Sequence, residues 1–153
     1  MSTAITGHTY SIREAAALTG LPASTLRYYE SIGVIEPIGR GASSKHRVYT
    51  DDDLDQLTWI ACLSATGMSV SDMRRYVANG ALGPDAAGEQ IDLLRTQQEQ
   101  LSREAESVAL RQKYVRLKID YWQAVEAGDD ARSQELSDQA RALADELKKT
   151  KTS

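Results

Sequence analysis

The sequence predicts a mainly α-helical chain: a helix-turn-helix module with a small two-stranded wing, followed by a long coiled-coil helix. Three observations carry this. Two short amphipathic segments flank Gly20-Leu21-Pro22, a β-branched and aromatic stretch surrounds a glycine-rich loop, and leucine-like residues recur every seven positions over residues 91–122.

The first helix starts at Ser11, whose S-x-x-E spacing to Glu14 is that of a reciprocal capping box. Ile12, Ala15, Ala16 and Leu18 form its apolar side, and Gly20 with Pro22 stops it. Ser24 is expected to cap a second short helix, Thr25 to Ser31, that ends at Gly33. Val34–Ile38 and Arg47–Tyr49 read as the two wing strands, with Pro37 tolerable because each strand of a ribbon is an edge. Thr50 followed by Asp51, Asp52 and Asp53 opens a helix to about Thr66. After Gly67, Ser69 and Asp72 restart one to Asn79-Gly80, and Ala81–Gly88 reads as a linker.

From about Asp85 to Ala127 no proline interrupts, so one helix of roughly 40 residues, about 60 Å long, is predicted. Leu94, Leu101, Val108, Val115 and Trp122 are spaced by seven, with Ile91, Ala105 and Ile119 at the companion position beside Gln98 and Gln112. Such a stripe is a dimerisation seam, because the preceding region is too small to cover so long a helix. Gly128-Asp129-Asp130 ends it. A last helix carries Leu136, Ala140, Leu143 and Leu147, and the tail from Lys148 is expected to fray. The expected organisation is residues 1–80 for the DNA-binding module, 81–128 for the linker and dimerisation helix, and 129–153 for a short C-terminal helix and tail.

Composition narrows the function. Of 153 residues, 41% are hydrophobic and 26% charged, which suits a globular chain. Apolar runs such as Trp59–Leu63 are far shorter than the roughly 20 residues a membrane span needs, and the N-terminus lacks a basic-then-apolar leader pattern. A cytoplasmic chain without membrane contact is expected. The single cysteine, Cys62, and the two distant histidines, His8 and His46, give no metal site within one chain. No cofactor, glycine-rich phosphate loop or catalytic triad is expected, hence no enzyme activity. The net charge of −4 argues against a polyanion-coating role, so any DNA contact must come from a local patch.

Such a patch can be read off the residues. Ser24, Thr25, Arg27 and Tyr28 on the second helix, and Arg40, Lys45, Arg47 and Tyr49 on the wing, supply the cations and hydroxyls that bind phosphates and base edges. A solvated loop is the alternative for the wing. Tyr29 is expected to face inward if its neighbour Tyr28 faces out.

Tyr10-Ser-Ile-Arg-Glu-Ala-Ala, Thr19-Gly-Leu-Pro, Thr25-Leu-Arg-Tyr-Tyr-Glu, Ile32-Gly-Val-Ile-Glu-Pro and Arg47-Val-Tyr-Thr together closely resemble the MerR family of transcription regulators over roughly residues 9–78. The resemblance implies a winged helix-turn-helix homodimer joined by an antiparallel coiled coil. It also implies bending and untwisting of promoter DNA for RNA polymerase. By the same resemblance Thr25, Arg27 and Tyr28 contact DNA, and Arg47 and Tyr49 anchor the wing. Lys45-His46-Arg47 departs from the family's glycine-aromatic-arginine wing turn but keeps its positive character.

The segment from Trp59 through Cys62 to Met68, with Lys118-Ile-Asp-Tyr-Trp, is similar to the aldehyde- and electrophile-responsive, AdhR- and NmlR-like branch. That similarity implies Cys62 as the sensing nucleophile. Two readings stay open: a reactive thiol, or a small hydrophobe buried in the apolar helix Leu54–Leu63, where burial is expected. Tyr114, Tyr121 and Trp122 are either a ligand pocket or seam filling. The rival functions are a regulator answering a non-covalent ligand, an effector-free architectural or repressor-type binder, and a coiled-coil adaptor.

Overall fold

The computed structural model describes residues 7–150 and consists of six α-helices with one 3-10 turn. It divides into a first unit ending at Gln97 and a second beginning at Gln98.

In the first unit, α1 (Ile12–Thr19) carries the expected capping box: Ser11 Oγ accepts from the Glu14 amide and Glu14 accepts from the Ser11 amide, both at 3.2 Å. Gly20 closes it at φ 76°, a conformation a side chain would resist. Ala15 is buried, whereas Leu18, expected on the apolar side, is 62% exposed. Helix α2 (Ala23–Ser31) begins two residues before the predicted start at Thr25. Pro22 occupies the cap at φ −58° and ψ 147°, and no side chain caps the helix, so Ser24 is a first-turn residue and not the cap. The fixed ring of Pro22 already directs the chain into the helix, and its carbonyl takes the Leu26 amide at 3.0 Å.

The two predicted wing strands are corrected. Val34, Ile35 and Ile38 are 0–7% exposed and pack in the core with Leu26 and Tyr29. The wing proper is a hairpin closed by the Arg40–Arg47 bridge, with Val48 donating to Gly39 at 2.8 Å and Gly41 to His46 at 2.9 Å. Tyr49 pairs its backbone with Tyr10, both bonds at 2.8 Å, so the segment preceding α1 takes the place a longer ribbon would have occupied.

Helix α3 (Asp51–Ala65) opens on a capping box between Thr50 and Asp53 and buries Leu57 and Ile60. Ser69 caps α4 (Val70–Leu82), which buries Met73. No loose linker follows: a single 3-10 turn over Gly83–Ala86 leads directly into α5 (Ala87–Glu126). Pro84 lacks only an amide hydrogen that a helix start leaves unpaired anyway. The start of α5 is tied to α3 and α4 by an Arg75–Glu89 ion pair, by Gln90 donating to the Tyr76 carbonyl at 2.9 Å, and by Gln97 donating to the Thr66 carbonyl at 2.6 Å.

In the second unit, Gly128 at φ 73° ends α5: Asp129 donates to Ala124 at 2.9 Å and Gly128 to Val125 at 3.0 Å. This crossed pair satisfies the last carbonyls and reverses the chain. Leu136, Ala140 and Leu143 on α6 (Asp130–Thr150) are buried, as is Ala124, while Leu110, Tyr114, Leu117 and Tyr121 on α5 are half-buried. Both rows alternate spacings of three and four, the pattern of a helical hairpin joined by a short loop. Fraying from Lys148 is corrected, since α6 continues through Thr150 with Lys148 and Lys149 favourably placed in its last turn. The remaining tail, Lys151–Ser153, lies outside the described residues, as does the stretch before Gly7. No described helix is long and apolar enough to cross a membrane.

The Tyr49 hydroxyl is buried without a hydrogen-bond partner among the described residues. Replacing Tyr49 by Phe removes that desolvation cost, so urea unfolding should show stability unchanged or raised by about 1 kcal/mol. A loss of similar size would reveal a partner for the hydroxyl.

Candidate nucleic-acid interface

Helix α2 is amphipathic at minimal length. Leu26 and Tyr29 face the core, at 0% and 5% exposure, and the Tyr29 hydroxyl donates to Ser64 Oγ at 3.3 Å. Ser24, Arg27, Tyr28 and Ser31, spaced three, four and seven apart, are therefore brought together on the opposite, exposed face. Thr25 sits at the edge, half-buried. Arg27 makes no hydrogen bond or ion pair among the described residues, and Tyr28 stands outward with its ring centroid 6.3 Å from that of Tyr29. The expectation that only one tyrosine of the pair faces inward holds.

The wing presents its cations differently from one another. Lys45 and His46 are exposed, with Lys45 at φ 58°, a left-handed backbone that lets its amide donate to the Gly41 carbonyl at 3.0 Å. Arg40 is partly committed to the loop, donating to the Lys45 carbonyl at 3.3 Å. Arg47 is committed further: its Nε donates to Glu30 at 2.6 Å, and only 21% of its side chain is exposed. Tyr49 is corrected as a DNA contact, because at 0% exposure it is part of the core and its hydroxyl reaches no solvent. Burial raises its pKa and keeps the phenol neutral.

Glu30 was not singled out by sequence reasoning, although its position carried a signal. An acid in the last turn of a helix opposes the helix dipole and needs a compensating partner. Glu30 accepts from the Ile38 amide at 3.1 Å as well as from Arg47. Burial pushes its pKa up, but the hydrogen bonds from Arg47 and Ile38 and the charges of Arg47 and Arg40 together hold it below the ordinary carboxylate value. A depressed folded-state pKa contributes stability above the unfolded value that is lost as pH falls through the folded one. Glu30→Gln should accordingly flatten the acid limb of a melting-temperature profile.

Cys62 is exposed, which corrects the expectation of a buried thiol. Leu57 and Ile60 supply the inward face of α3 and leave Cys62 on another side. It lines neither of two clefts: one of about 680 Å³ among residues 33–37, Gln56, Trp59 and the face of α4 bearing Arg74, Val77 and Ala81, and an open groove of about 400 Å³ along Tyr114, Lys118 and Trp122. In the latter, Lys118 Nζ lies 5.5 and 5.9 Å from the Tyr114 and Tyr121 ring centroids. Trp122, at 64% exposure, encloses nothing within one chain. Among the described residues, no cluster of three or more His, Cys, Asp or Glu is arranged to hold a metal ion.

Residues 10–80 match the model of the MerR HTH family regulatory proteins. The chain is 32% identical over 93 residues to the HTH-type transcriptional regulator HmrR of Rhizobium leguminosarum bv. viciae, covering 61% of this chain and 70% of that one. It is 36% identical over 66 residues to the HTH-type transcriptional regulator AdhR of Bacillus subtilis, covering 43% and 46%. Against the first three curated relatives the match spans between 46% and 65% of their length. Among solved structures, HiNmlR, a MerR family regulator lacking the sensor domain and bound to promoter DNA, is similar with a TM-score of 0.63 and 29% identity, over 78% of this chain and 94% of that one. Helix α2 with its polar outer face, the wing hairpin and these likenesses converge: the chain belongs to the MerR family of DNA-binding, helix-turn-helix transcription regulators.

Proposed function

We propose that the protein acts on promoter DNA as a homodimer, residues 1–80 binding DNA, 81–128 carrying the dimerisation helix and 129–153 bracing it. The observation that carries the dimer is the unpartnered stripe of α5: Leu94, Leu101, Val108, Val115, Ile119 and Trp122 are 39–64% exposed although α6 already covers another face of the helix. An apolar stripe of this extent marks an interaction surface. Its heptad spacing selects a second helix of the same kind.

An antiparallel pairing suits these residues. With the two-fold axis between Ala105 and Val108, Ile91 meets the partner's Trp122, Leu94 meets the partner's Ile119, and Gln98 meets the partner's Val115. A parallel pair would instead place Gln98, Gln112 and Trp122 each against its own copy. Two DNA-binding modules joined through such a pairing engage two half-sites. Bending and untwisting of the promoter to suit RNA polymerase follows where the spacing of the half-sites differs from that of the modules.

On DNA, Arg27, Tyr28, Ser24 and Thr25 read the major groove or its flanking phosphates, and Lys45 with Arg40 holds the backbone at the wing. The effector reading is that Cys62 senses an electrophile: its thiolate adds to an aldehyde carbonyl carbon, the carbonyl oxygen taking up a proton. The exposure of Cys62 and the likeness of its surroundings to the aldehyde-responsive branch support this. The second reading, a regulator with a non-covalent ligand or none, is favoured by the open helix face around Cys62, which lines neither cleft.

Val108→Asp should convert a dimer in sedimentation equilibrium to a monomer, since it places a charge at the centre of the seam. A dimer surviving this change would overturn the seam. Arg27→Ala should weaken binding to a selected duplex and lower the salt slope by about 1. In transcription in vitro with formaldehyde or methylglyoxal, activation by wild type and none by Cys62→Ser is expected for the sensing reading. An identical response from both proteins transfers the effector question to the second reading.

A further inference from the structure

Glu30 joins three pieces of the DNA-facing surface. It stands in the last turn of α2, one carboxylate oxygen takes the amide of Ile38 on the limb entering the wing, and the other takes Nε of Arg47 on the limb returning from it. The ion pair is short, at 2.6 Å, and its side chains are only 21% and 12% exposed. Arg40 stands across the hairpin bridge from Arg47. Removing one member of a largely desolvated pair strands the other charge, so the connection resists rearrangement.

We propose that Glu30 and Arg47 are a positioning pair that locks the wing to the recognition helix, with Arg47 acting through Glu30 and not on a phosphate. The argument rests on α2 and the wing being the DNA-binding surface. An acid beside that surface repels a polyanion, so by charge alone its removal should tighten binding. As a strut, its removal loosens the wing and weakens binding. The two roles thus differ in sign at Glu30. At Arg47 they differ in salt dependence, because a phosphate contact contributes a released counterion and a strut does not. Arg27 and Lys45 remain as outward cationic groups whose spacing the pair sets.

The test uses the full chain and a duplex that the wild-type protein selects from a random-sequence pool, with binding measured across a salt series. Glu30→Gln and Arg47→Ala should each lose about tenfold in affinity with the wild-type salt slope, and the double variant should lose no more than either single one. Amide hydrogen exchange should quicken at Ile38 and at residues 40–48 in Glu30→Gln, while α3 keeps its protection. Tighter binding by Glu30→Gln, or a slope reduced by about 1 in Arg47→Ala, overturns the proposal. Should Glu30→Gln not fold, Arg47→Lys decides on the same series: it retains the charge that a phosphate contact needs, so wild-type affinity would overturn the strut and a tenfold loss at unchanged slope would uphold it. Failure of the wild type to select any duplex would strike the DNA-binding assignment itself, separately from the pair.

Discussion

The burial of Leu26 and Tyr29 is the constraint on which the proposed DNA-facing surface depends. A helix of nine residues has little stability of its own and exists because one face is packed. Once those two side chains enter the core with Val34 and Ile35, the 100° step of the helix turns Ser24, Arg27 and Tyr28 outward together. The same packing explains why the chain after Gly33 is core and not ribbon: the apolar segment leaving the end of α2 joins one buried cluster with Tyr29 and with Leu57 and Ile60 of α3. The wing is what remains after the core has taken Val34, Ile35, Ile38 and Tyr49.

Charge is then distributed by what the fold leaves unpaired. The module is not basic overall, with seven basic against eight acidic side chains in its first 80 residues. Four of those eight acids are occupied: Glu14 and Asp53 in capping boxes, Asp51 by the Tyr10 hydroxyl at 2.9 Å, and Glu30 by Arg47 and the Ile38 amide. Arg27, Lys45 and His46 remain outward. The exposed cations Arg27 and Lys45 therefore coexist with a net charge of −4, the nearby Glu30 being taken up at the base of the wing.

Helix α5 meets a different demand. It carries two apolar rows, one half-buried through Leu110, Tyr114, Leu117 and Tyr121 and one exposed through Leu101, Val108 and Val115. The hairpin return at Gly128 lets α6 cover the first row from within the same chain. The second stays exposed, and it is the row on which the proposed dimer rests.

The sequence by itself determined most of the helices and several of their ends. Capping boxes at Ser11 and Thr50, the cap at Ser69, and glycines at 20, 67 and 128 are local chemistry, satisfied within a turn of the residue that carries them, so spacing suffices to place them. The heptad stripe was legible for the same reason, since a period of seven on a helix is a geometric statement. Tertiary structure alone decided the burial of Tyr49, the exposure of Cys62 and the partner of Arg47, because each depends on residues far away in the chain: Tyr10 for the first, the choice of inward face on α3 for the second, Glu30 for the third. An aromatic residue beside a wing reads equally as contact or core, and an arginine equally as phosphate ligand or strut. Only the positions of the groups around them distinguish the two, and those are set by packing over distances that a one-dimensional pattern does not encode.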